Sequence, residues 1–108
     1  MAQQIRVTLN DEEYILEYTR ATAKAMEKGG FDINAISSQP NTMIPLLFAG
    51  AFLCHHRKIK EETINAIFSK MTNKEALISK LVEMYAETVT TLLEDAEGEQ
   101  GNASWEVC

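Results

Sequence analysis

The sequence predicts a mainly α fold of the α+β kind: an N-terminal β-hairpin, a bundle of about four helices, and a flexible acidic C-terminal tail. Three observations carry it. Ile5, Val7 and Leu9 alternate with polar residues and the alternation resumes at Tyr14, Leu16 and Tyr18. Apolar residues then recur at helical spacing in separate stretches, punctuated by Gly29-Gly30, by Pro40 and by the Lys70–Asn73 segment. From Gly98 the chain is acidic, polar and glycine-containing, a composition that buries too little apolar surface to fold. At 108 residues the size is that of one domain. We therefore place a single domain over 1–97, with the hairpin over 4–19 and the bundle over 20–97, and the tail over 98–108.

In the hairpin, Asn10-Asp11 supplies residues that tolerate positive φ in a tight turn. A lone hairpin is marginal in water, so its apolar face must pack on the helices or on another chain. Thr19 can cap the first helix, along which Ala21, Ala25 and Met26 share helical spacing, and Gly29-Gly30 can stop it through a left-handed C′ residue. Phe31 folds back onto that helix, and Asp32 to Gln39 reads as a short helical turn or loop. Asn41 or Thr42 is the expected cap of the second helix, which places Pro45 in its first turn, where no N–H is needed.

That second helix, over 42–56, is apolar around its whole circumference, so it is either central or covered by another chain. Gly50, between Ala49 and Ala51, allows a neighbouring backbone to approach. Glu61 and Glu62 suit the start of a third helix lined by Ile64, Ile67, Phe68 and Met71. Thr72 and Glu75 form a capping-box signature for the fourth and longest helix, ending around Glu97, with Leu77, Leu81, Met84 and Thr88 on one side and Ile78, Val82, Tyr85, Val89 and Leu92 broadening the stripe.

Charge and cysteine usage exclude several classes of function. The formal net charge is −6, but Glu94, Asp95, Glu97, Glu99 and Glu106 lie in a terminal stretch without a base, leaving ten bases against eleven acids before it. A nearly neutral body with an acidic end repels phosphate, so no nucleic-acid partner is expected. Cys54 and Cys108 lack the number and spacing of a disulfide framework, which points to a reduced cytoplasmic setting. The start is not that of a signal peptide, and the apolar run Met43–Cys54 falls short of the ~20 residues that cross a bilayer. No membrane partner is expected.

The chemically suggestive stretch LLFAGAFLCHHRK does not make a site by helix geometry. Neighbours on a helix point about 100° apart, so His55 and His56 cannot chelate one ion from a regular helix, and a closed zinc site would have to recruit carboxylates from elsewhere. The expected reading is Cys54 as a small core hydrophobe and His55, His56, Arg57 and Lys58 as favourable charge at a helix C-terminus. Neither a Gly-x-Ser-x-Gly elbow nor a phosphate-cradling glycine loop occurs, and Cys54 and His55 diverge, so enzyme activity is not expected. The third and fourth helices fit a helix-turn-helix poorly, because the supposed reading helix carries Glu75, Glu83 and Glu87 against little basic charge. No cofactor and no metal is predicted.

What survives is interaction. Leu46, Leu47, Phe48, Phe52 and Leu53 exceed the evident needs of one small bundle, and a groove that accepts a partner helix is a known use of such surface. Leu47, Phe48 and Phe52, with Trp105 in the acidic tail, are the candidate protein-contact residues.

The order IRVTLNDEEYILEYT, EKGGFDI, PNTMIPLLFAGAFLCHHRKI, MTNKEALISKLVEMYAE and an acidic, glycine-containing end resembles the small tail assembly chaperones of long-tailed bacteriophages and prophages. The resemblance implies a non-enzymatic protein that binds the tape measure protein, keeps it soluble and helps recruit tail tube protein subunits, in some cases through a longer frameshifted form. It further implies possible homo-oligomers along the tape, action in the cytoplasm of the bacterial host, and absence from the mature virion. A reading from another class is a small prophage-encoded regulatory or DNA-mimicking protein. Gene neighbourhood separates the two, because the chaperone belongs between tail tube and tape measure genes.

Overall fold

The computed structural model describes residues 3–93 and 106–107 of the chain. The tail expectations, Trp105 included, lie outside the described residues, as does the end of the fourth helix beyond Leu93. The chain forms an N-terminal two-stranded antiparallel hairpin followed by four helices. Strands β1 (Ile5–Leu9) and β2 (Glu12–Leu16) pair Ile5 with Leu16, Val7 with Tyr14 and Leu9 with Glu12. Their two-residue turn has Asn10 at φ 52° and Asp11 at φ 68°. Two successive left-handed residues match the twist of the strands they join. The register sets Val7 and Leu16 on the buried face, with Tyr18 continuing inward beyond the strand.

Helix α1 (Arg20–Lys28) starts at Thr19, whose hydroxyl accepts from the Thr22 N–H while the Thr22 hydroxyl accepts from the Thr19 N–H. It buries Thr22, Ala23 and Met26, whereas Ala21 and Ala25 face outward. It ends as the glycine pair requires: Gly30 takes φ 104°, its N–H donates to the Glu27 carbonyl, and the Phe31 N–H donates back to that of Met26. Phe31 is thereby turned into the core against Tyr85.

After a single 3-10 turn at Ile33–Ala35, helix α2 runs over Pro40–Gly50. Its N-cap is Gln39 and not Asn41 or Thr42, because Pro40 takes the first helical position, where a proline loses nothing. Pro45 therefore stands inside the helix and leaves the exposed Asn41 carbonyl without its usual i+4 donor.

The helix also stops short of the expected residue 56. The Ala51, Phe52 and Leu53 N–H groups bond three residues back, tightening the chain, and the Ala51 carbonyl accepts from Glu17 of the hairpin at 3.0 Å. An acceptor that an interior turn would use for residue 55 is thus taken by another element. Gly50 is required for a close approach, though by a side chain: a Cβ there would lie 2.4 Å from Met26 Sδ.

Helices α3 (Glu61–Lys70) and α4 (Lys74–Leu93) complete the bundle. Asn73, at φ 54°, directly precedes α4, so the helix begins one residue later than a Thr72 cap would place it and the Thr72–Glu75 box is out of register. Helix α2 is central, touching α1, α3 and α4. Leu81, Met84, Tyr85 and Thr88 of α4 are buried, while Val89 and Leu92, expected to broaden that stripe, are exposed.

Candidate functional site

The two sides of α2 meet different surroundings. Leu47, Phe48 and Phe52 are at most 1% exposed. The Phe48 ring packs on Phe52 at 5.1 Å and on Phe68 at 4.9 Å, Phe52 meets Tyr14 edge-on, and the Leu47 carbonyl accepts the Tyr18 hydroxyl at 2.6 Å. These three were expected at a protein contact. They are instead core side chains, because the hairpin, α3 and α4 between them cover that face and leave no surface for a partner.

The other side is open. Leu46 and Ala49 of α2, with Pro45 nearby and Leu53 from the turn that follows the helix, line a groove of about 410 Å³. Its walls are completed by Met26, Gly29 and Phe31 of the α1 region and by Ile59, Ile64 and Asn65 on the α3 side, and the buried Phe52 and half-buried His56 border it from the core. Leu46 is 37% exposed, Leu53 half-buried, and Arg57 and Glu61 put one charge of each sign among the lining residues. An apolar channel with a mixed polar edge suits the apolar stripe of an amphipathic helix. Sequence reading could name the apolar excess of this helix but not its free side, since periodicity is lost when every face is apolar.

A polar cluster lies where the end of β2 meets the turns after α2. The His56 Nε2 accepts the Ile15 N–H at 2.9 Å, and its ring packs edge-on against Tyr14. That histidine is a fastener for the hairpin, and only its neutral ring has a lone pair for the bond.

Its neighbours turn the other way. Glu17 Oε1 lies 2.6 Å from His55 Nε2, 2.9 Å from Gln4 Nε2 and 3.9 Å from Cys54 Sγ. The His55 hydrogen bond, with smaller help from Gln4, holds the Glu17 carboxyl below its ordinary range. Burial, reinforced by the Glu17 charge, pushes the Cys54 thiol up, and Arg57 opposes this. Deeper in the bundle, burial and a bond to Glu27 push Tyr85 up to about 12.

His55 and His56 were expected not to converge because of helix spacing; they lie in the turns after α2, and their Nε2 atoms meet different partners, Glu17 and the Ile15 N–H. The expectation that they close a helix C-terminus does not hold, since α2 has ended at Gly50. Cys54 is only half-buried and its thiol faces Glu17. Among the described residues, Glu17, Cys54 and His55 form the group whose ligand atoms lie within 4.8 Å of one another. No described helix is long and apolar enough to cross a membrane.

No curated protein and no solved structure matches the chain. One family model does, over residues 1–108, and the chain belongs to that family, a domain of unknown function designated DUF5055.

Proposed function

We propose that this chain is a non-enzymatic assembly chaperone of long-tailed bacteriophages or prophages. It takes an amphipathic helix of the tape measure protein into the groove beside α2, keeps that protein soluble and helps recruit tail tube subunits around it. It acts in the host cytoplasm and leaves before the virion is complete. The observation that carries the reading is the open apolar groove on a helix whose opposite side is sealed: Leu46 is exposed, and Ala49 and Leu53, only partly buried against the core, leave apolar surface in the groove for an anchor. The order of sequence features supports the choice of partner. The acidic end, with five acids in residues 94–108, suits a protein that must keep a sticky complex in solution by charge repulsion.

Co-expression with the neighbouring tape measure gene tests this. Co-purification and a larger soluble fraction of the tape measure protein are expected, both lost in Leu46→Asp with the circular dichroism spectrum unchanged. Failure of the wild-type chain to co-purify or to solubilise the tape measure protein overturns the proposal.

A further inference from the structure

The geometry points to a transition-metal site at Glu17, Cys54 and His55, one that takes Zn²⁺ through a carboxylate oxygen, a thiolate and an imidazole nitrogen and leaves a fourth position open. The inference does not depend on the chaperone reading.

The donor set is of the type that zinc selects, with one borderline nitrogen, one soft sulfur and one hard oxygen. Tetrahedral zinc sets these donors about 3.3 Å apart for nitrogen and oxygen and about 3.6 Å for sulfur and oxygen. Here the His55 Nε2 to Glu17 Oε1 separation is 2.6 Å and the Cys54 Sγ to Glu17 Oε1 separation is 3.9 Å. Opening the first by about 0.7 Å and closing the second by about 0.3 Å, which side-chain torsions can supply, makes room for the ion.

The backbone holds the three groups together. The Glu17 N–H is fixed to the Ala51 carbonyl, and the Ile15 and His56 bond ties down the residues on either side. Gln4, donating to Glu17 at 2.9 Å, is the outer-shell partner that orients the carboxylate. His55 is exposed, so solvent reaches the open position, and a depression of about 540 Å³ lined by Cys54, His55, Arg57 and Lys58 adjoins it. Arg57 acts in two directions: its charge repels the ion and, against the larger opposing effects of burial and Glu17, favours the thiolate that binds it.

Zn²⁺ displaces the thiol hydrogen of Cys54, which leaves as one proton to the buffer. In the complex His55 ligates through the Nε2 lone pair and Glu17 through a carboxylate oxygen.

Titration of the full chain with Zn²⁺ against a chromophoric chelator, and with Co²⁺ followed by absorption, tests the site. Saturation at one ion per chain is expected, with a thiolate-to-cobalt charge-transfer band. Cys54→Ser should abolish that band. Cys54→Ser and His55→Ala should each weaken Zn²⁺ binding by more than the roughly tenfold that even an outer-shell change costs. Cys108→Ser should change neither readout, and circular dichroism confirms that each variant folds. No saturable binding, or a charge-transfer band that survives Cys54→Ser and disappears in Cys108→Ser, overturns the assignment.

Discussion

The sealed and open sides of α2 have much the same composition and opposite roles. Phe48 and Phe52 on one side, and Leu46, Ala49 and Leu53 on the other, come from one uninterrupted apolar run, yet the first pair is buried and Leu46 is 37% exposed. Hydrophobicity assigns a residue to contact, while the number of neighbouring elements decides whose contact it is. The hairpin, α3 and α4 close over one side, whereas on the other the end of α1 and the start of α3 stand apart as the walls of an open groove.

The largest expected effect comes from breaking the sealed side. Phe52→Asp puts an unpaired charge among Phe48, Tyr14 and His56 and should leave no cooperative thermal transition, whereas Phe48→Ala should fold with a loss of about 3–5 kcal/mol in urea denaturation. Gly50→Ala sits between the two sides. Its added methyl must displace Met26, a buried neighbour, so a net cost of about 1–3 kcal/mol is expected despite the gain in helix propensity. His56→Ala loosens the hairpin that covers the sealed side, orphaning the Ile15 N–H at a cost of about 1–2 kcal/mol, read as faster amide exchange at Ile15.

Glu17 adds a pH dependence to the same attachment. Its carboxyl is held below its ordinary range in the fold, so its contribution is fully present above the unfolded-state value and is lost as pH falls through the folded value. Denaturation midpoints measured down through the acid range should therefore fall more steeply for the wild type than for Glu17→Gln. Smallest for stability is Leu46→Asp on the open side, expected to cost under about 0.5 kcal/mol, as exposed positions do.

What was legible in the sequence was local. The hairpin turn needs only Asn10-Asp11, the first helix start only Thr19 and Thr22, and its end only Gly29-Gly30 and Phe31, so each could be read from adjacent residues. The end of α2 could not, because the Ala51 carbonyl that stops it bonds to Glu17, far off in the sequence. The Glu17, Cys54 and His55 cluster was hidden for the same reason. His55 and His56 were separated on helix spacing, but they lie in the turns after α2, and the carboxylate the site needs comes from just beyond a strand, a meeting that no periodicity within either segment announces. The capping box at Thr72 and Glu75 had the right residues and lost to Asn73, whose left-handed φ shifts the helix start by one.

The ties between residues 15–17 and 51–56 have a kinetic consequence as well. The hairpin's own hydrogen bonds are local, whereas those that attach it span separations of 41 residues for Ile15 and His56 and 38 for Glu17 and His55. Closing such a loop must precede any gain from the contacts it makes, and a two-stranded ribbon has little stability of its own to wait on. The hairpin is thus positioned to dock late in folding and to detach early, as one cooperative unit, while the helices persist. Native-state hydrogen exchange should resolve it as a separate, lower free-energy opening, which places the Glu17, Cys54 and His55 cluster on the seam along which the hairpin parts from the helices.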